Sequence, residues 1–259
     1  MMRDAMTLEV CVEDLDGIDA AVEGGADRIE LCAALAVGGL TPPASLIRAA
    51  AQAPLPAHLL VRPREGGFAY TPREIALIAD DIVTAAHAGL AGIVIGATLA
   101  DHRLDATTLA MLIAHARTLG SERGRPLSLT LHRAFDLCPD LPAALEDAIA
   151  LGFDRILTSG GEPKAIDGMA MLTTLHRAAA GRIAILPGSG IDAGNAMRFL
   201  DAGLREIHAS CGAPLVPNDA GDDARERRFG FSALGRRTTN LQRVRDLKLV
   251  LETFERQAA

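Results

Sequence analysis

The stretch GADRIEL (residues 25–31) is echoed by GLAGIVI (89–95), GFDRILT (152–158) and GLREIHA (203–209). All four share one grammar: a glycine, three residues, then isoleucine in an apolar run. Glycine is favoured just past a helix end, where left-handed backbone costs it little. Each repeat therefore reads as the joint between a helix and a strand, and the four precede strands two, four, six and eight. Strand-like runs fall at 8–13, 28–33, 57–63, 92–97, 127–134, 155–161, 182–190 and 206–211. Helical periodicity lies between them, as in 71–89 and 140–152, with Pro72 and Pro142 in first turns and Gly89 and Gly152 at helix ends. Eight strand-then-helix units predict an α/β fold, a (β/α)8 TIM barrel, as a single domain over 1–259. The two-unit period decides it: alternate strands of such a barrel supply the same interior layers, and an open doubly wound sheet has no reason to show that period. Residues 212–238 read as one long polar loop, either mobile or covering the strand ends, and 239–257 as the closing helix.

With 259 residues, 49% of them hydrophobic and 23% charged, the chain can bury a large core. A net charge of −7, no Trp and a single Tyr argue against nucleic acid and anionic membranes as partners. No uninterrupted apolar run is long enough to span a bilayer, and the start lacks the apolar core of a secretory signal, so a cytoplasmic protein is expected. The four cysteines, 11, 32, 138 and 211, form no CxxC pair and are expected to be free thiols.

Strand side chains alternate faces, and helices cover the outside of a barrel. Leu8, Val10 and Val12 are therefore assigned outward, with Glu9, Cys11 and Glu13 inward. Likewise Ile29 and Leu31 face out, leaving Arg28, Glu30 and Cys32 inside, and Leu127, Leu129 and Leu131 leave Ser128, Thr130 and His132 inside. Carrying the repeat's phase along the even strands gives a middle layer of Glu30, Val94, Leu157 and His208. The layer nearer the strand ends holds Cys32, Gly96, Ser159 and Ser210. That upper layer is small and polar, which leaves room for a ligand; the bland alternative is a plug of ion pairs filling the lumen.

Several constellations could carry chemistry there. HRAFD (132–136) puts His132 at the end of strand five, as acid/base or metal ligand, with Arg133 and Asp136 on the loop. RPRE (62–65) brings Arg62 and Arg64, whose forks suit carboxylate or phosphate oxygens; a salt bridge from Arg62 to Glu30 is the structural alternative. LPGSGI (186–191) can converge backbone N–H groups on an anion at Gly188 and Gly190, or be a plain turn. Cys11 and Cys32 share inward parity on neighbouring strands and could hold a soft ion such as Cu(I), or be small core residues.

The motifs LEVCVE, GGADRIELC, GGLTP, VRPREGGFAY, HRAFD, RILTSGG, LPGSGI and EIHAS, in this order across most of 8–211, resemble those of the CutC family of copper homeostasis proteins. The resemblance implies a single cytoplasmic barrel, commonly a homo-oligomer such as a dimer or tetramer, and a copper association through cysteines at the positions of Cys11 and Cys32. A second expectation is an enzyme acting on a small anionic metabolite, phosphorylated ones included. In it Glu30 and His132 exchange protons, and Asp136 and His208 complete the catalytic set. Glu9, Arg62, Arg64, Arg133, Ser159, Gly188 and Gly190 would bind the substrate.

Overall fold

The computed structural model describes residues 6–214, 225, 228–229 and 237–258. Eight parallel strands run β1 Thr7–Val12, β2 Arg28–Leu31, β3 Ala57–Leu60, β4 Gly92–Ile95, β5 Ser128–Leu131, β6 Arg155–Thr158, β7 Ala184–Pro187 and β8 Glu206–Ala209. They pair in the order β7-β6-β5-β4-β3-β2-β1-β8, so the sheet curls until its first and last strands are neighbours by sequence number and the barrel is nearly closed. The helices are α1 Leu15–Gly24, α2 Ala44–Ala50, α3 Pro72–His87, α4 Ala106–Glu122, α5 Leu141–Leu151, α6 Met169–Ala179, α7 Ala196–Asp201 and α8 Leu241–Ala258. This is the TIM barrel read from the sequence. None of these helices is long and apolar enough to cross a membrane.

The four repeat glycines, Gly25, Gly89, Gly152 and Gly203, all have left-handed backbone, with φ of 82°, 81°, 83° and 95°. Ile29, Ile93, Ile156 and Ile207 then enter the apolar layer between sheet and helices, each fully buried. Two repeats also share an aspartate with one job. Asp27 accepts from the Leu8 N–H at 2.8 Å, and Asp154 from the Leu129 N–H at 2.7 Å, so each caps the start of the preceding strand. Helix α3 begins with a capping box between Thr71 and Glu74, followed by Pro72 at its first position.

Strand alternation divides the buried apolar residues into two separate groups. Leu8, Val10, Val12, Ile29, Leu31, Leu59, Leu129 and Leu131 pack under the helices. Cys11, Cys32, Leu60 and Val94 form a small cluster inside the cylinder. The segment expected as one polar loop begins and ends in paired backbone: β9 Gly212–Pro214 and β10 Arg237–Thr239 form an antiparallel two-stranded ladder. Its middle lies largely outside the described residues, and the closing helix starts at Leu241 rather than at 239.

Candidate functional site

Register brings the lumenal side chains together. Across β1 and its two neighbours, Glu9 stands opposite Arg28 on one side and His208 on the other, while Cys11 stands opposite Glu30. At the lower end of the lumen the interior is filled by charge. Glu9 has no exposure and is bonded to the Nε of Arg28. Arg28 Nη2 donates to Glu206 at 2.6 Å, and Arg155 Nε to the same carboxylate at 3.2 Å. Arg28, Arg155 and Glu206 occupy the same repeat position, just before the isoleucine, so the even strands supply this layer together. Burial works to raise the Glu9 carboxyl, but Arg28 and His208 outweigh it and hold Glu9 well below the usual range. An ion-pair plug thus fills the lower lumen, and open space lies above it.

Above this layer the C-terminal face opens into a cavity of about 1040 Å³ whose wall includes Cys11, Glu30, Arg62, His132 and His208. Its rim comes from loops that follow strands, the face on which barrels carry their sites. His208 Nδ1 lies 2.8 Å from Glu9 Oε1, which leaves Nε2 facing Glu30 Oε2 at 3.7 Å. One ligand atom each from Cys11, Glu30 and His208 lies within 4.8 Å of the others, and all three residues are buried. Burial pulls the His208 imidazole down, but Cys11, Glu9 and Glu30 together hold it well above its usual value. Burial, helped by the Glu9 charge and opposed by His208, lifts Glu30 to about 7.

The second thiol stands apart from that trio. Cys32 Sγ points to the carbonyl of Glu30 at 3.8 Å, and burial with the Glu30 carboxylate pushes its thiol well above the usual range. Inward parity is shared with Cys11, but the stagger of the strands sets Glu30 opposite Cys11 and Cys32 one rung farther up. All four cysteines are free and buried.

Other expected residues have different employment. Arg62 reaches the cavity wall, yet it makes no ion pair with Glu30 among the described residues. Its guanidinium donates to the carbonyls of Val37, Gly39 and Gly66 at 2.8, 2.9 and 2.9 Å, tying the loops after β2 and β3 together. Arg64 is not on the cavity wall and pairs with Glu74 at 2.5 Å. Asp136 accepts from Thr158, from the N–H groups of Ser159 and Gly161, and from Arg133. Arg133 also donates to Ser159 at 2.7 Å. These residues clamp the β5 and β6 loops to each other.

His132 is buried, and its Nδ1 accepts from the Ala134 N–H at 3.1 Å, so the neutral ring carries its proton on Nε2. Burial and the Arg62 charge push it down to about 3. Its Nε2 finds no hydrogen-bond partner among the described residues. Gly188 packs under the site: a Cβ there would meet Leu157 at 2.6 Å. Next to it, Ser189 and Gly190 reach the cavity.

Sequence reasoning passed over three groups. His58 is buried 3.9 Å from Glu9, and burial pushes it to about 3. Its parity on β3 was the signal. Phe68, with its ring 4.8 Å from that of His132, sits within VRPREGGFAY but carries no polar group to mark it, and the rim arginines Arg237 and Arg243 lie outside any repeat or motif.

Comparison with known proteins points one way. A model of the CutC family matches residues 6–213. A family protein CutC from Sinorhizobium medicae is 46% identical over 252 residues, covering 97% of this chain and 98% of its own. One from Agrobacterium fabrum is 44% identical over 261 residues, covering 100% of this chain and 99% of its own. Among solved structures, a CutC protein of Streptococcus agalactiae, assigned by name to copper homeostasis, matches with a TM-score of 0.73 at 29% identity, over 79% of this chain and 98% of that one.

Proposed function

Because the chain belongs to the CutC family, we propose that it serves copper homeostasis by holding a copper ion in the barrel mouth, with Cys11, His208 and Glu30 as ligands. The observation that carries this is the convergence of their ligand atoms within 4.8 Å of one another. Thiolate and imidazole are soft and borderline donors that suit Cu(I), and the carboxylate widens the set towards divalent ions. Glu9 supports the site from behind: a carboxylate on Nδ1 fixes the imidazole so that Nε2 is the ligand atom. Cys32 joins as a second thiolate only by turning away from the Glu30 carbonyl. The test is a Cu(I) titration of the reduced protein against a competing chelator. Cys11→Ser and His208→Ala should each weaken binding at least tenfold, and Cys32→Ser should weaken it less. Equal affinity in the Cys11→Ser/His208→Ala double variant removes the reading.

A second reading is favoured by one fact: about 1040 Å³ is far more space than an ion needs and matches a small-molecule site. In it the chain is an enzyme for a small anionic metabolite. Glu30, ionising near neutrality, exchanges the proton, and His132 offers a neutral N–H. Mass spectrometry of small molecules released from the purified, denatured protein tests it; Glu30→Gln should keep the bound molecule and lose its turnover. We also carry over from the family a cytoplasmic location and a homo-oligomer, dimer or tetramer, which fractionation and light scattering test.

A further inference from the structure

We infer that the rim of the barrel mouth holds a phosphoryl group, in a subsite made by Arg237, Arg243 and the backbone of residues 189–191. This rests on the second reading above, and it moves the anion from Arg62 to the wall built by the loops after β7 and β8.

Arg237 lies on β10 and Arg243 near the start of α8, and both line the cavity. Both donate to one acceptor, the carbonyl of Gly212, Arg243 through Nη1 at 2.7 Å. Two guanidinium groups are thereby drawn to a single oxygen. Neither has a carboxylate partner among the described residues, and each keeps further N–H donors unspent. Like charges held so close repel by an amount that an anion between them would reverse.

The loop after β7 supplies the other half. The N–H groups of Ser189, Gly190, Ile191 and Ala193 have no acceptor among the described residues, while Gly188 and Asp192 on either side do. All four of these residues line the same cavity. Ser189 and Cys211, one on each loop, hold left-handed backbone at φ 85° and 48° without being glycine. Such strain persists where surrounding structure enforces it, and it collects at ligand sites.

The rim also carries Glu13, Asp14, Asp192 and Asp246, which oppose an anion. Each already accepts a hydrogen bond, from the Leu35 N–H, the Gly17 N–H, the Gly194 N–H and the Gln242 side-chain amide respectively. Guanidinium forks and converging amides are the donors that phosphate oxygens take, and barrels repeatedly place phosphate after strands seven and eight. A phosphorylated small molecule anchored there could extend its body down to Cys11, Glu30 and His208.

The probe is inorganic phosphate, followed by calorimetry and 31P line broadening on the full chain. Saturable one-to-one binding is expected. Arg237→Ala and Arg243→Ala should each weaken it at least fivefold. Arg64→Ala, which removes the same charge away from the cavity, should stay within twofold. Arg243→Gln, which keeps a donor for Gly212, should show the same loss as Arg243→Ala with an unchanged melting temperature, separating anion binding from folding. No saturable binding by the intact protein, or equal losses in the Arg64 and Arg243 variants, overturns the subsite. If an anionic metabolite nonetheless co-purifies with the protein, the second reading survives that failure; if none does, both fall.

Discussion

Glu9 Oε1 and His208 Nδ1 meet at 2.8 Å inside the barrel, although 199 residues separate them in the chain. The contact exists because β1 pairs with β8, with Glu9 and His208 as register partners. It joins the charged layer below to the cavity above, since the other oxygen of Glu9 is held by Arg28. Glu9→Gln keeps the shape but takes from Arg28 and His208 the buried carboxylate they share, leaving Glu206 to Arg28 and Glu30 to His208. Removing one partner of a buried pair costs about 3–5 kcal/mol. We expect that loss in urea unfolding at pH 7, together with a roughly tenfold or greater fall in Cu(I) affinity, because an orienting carboxylate behind a ligand histidine is typically worth that much.

Glu30 should make stability depend on pH in a defined window. Its carboxyl is raised from about 4.5 to about 7 in the folded protein. Between those values the folded state keeps a proton that the unfolded chain has released, so its contribution is full below 4.5 and is lost as pH rises through 7. Glu30→Gln does not titrate. The variant should therefore gain on the wild type from pH 4.5 to 7 by up to about 3 kcal/mol, at roughly 1.4 kcal/mol per pH unit. His58 and His132, pushed to about 3, drive stability the opposite way between 3 and 6.5, and the comparison at matched pH cancels them. A flat difference between the two proteins in urea unfolding across that window would contradict the assignment.

Gly96 makes room for His132. A Cβ at Gly96 would lie 2.4 Å from the imidazole Cε1. Overpacking of this kind costs about 1–3 kcal/mol. Gly96→Ala should lose that much on its own, and most of the loss should vanish in a His132→Ala background. A double-mutant cycle in thermal or urea unfolding measures the coupling, and additive effects would show that the ring has somewhere else to go.

Asp154 caps β5 through Leu129 N–H at 2.7 Å and the Ser128 hydroxyl at 3.0 Å. Asp154→Ala should cost about 1.5–3 kcal/mol, the scale of hydrogen bonds to a charged group. Amide hydrogen exchange should show faster exchange at Leu129 than at Leu131 in the variant.

The fold was legible because its signs are local and repeated. Glycine at each helix end and isoleucine four positions later recur every second strand, and alternation along LEVCVE and LSLTLHRA separates the two faces without any knowledge of neighbours. The site was legible as a set of inward residues but not as a set of contacts. Arg62 and Asp136 look like ligands in isolation, yet nearby carbonyls take both Nη groups of Arg62 and amides fill Asp136, leaving only Arg62 Nε unpartnered among the described residues. Arg237 lies inside the long polar stretch and Arg243 just past it, and neither carries a pattern of its own.

Residue order alone determined which side chains turn into the cylinder, since a pleated strand alternates whatever lies beside it. Only the closed sheet decided who meets whom there. The stagger between strands set Cys11 across from Glu30 instead of Cys32, and pairing the first strand with the last delivered His208 to Glu9. Height along a barrel is a property of register, and register is settled by the packing of the whole ring rather than by any one strand's sequence.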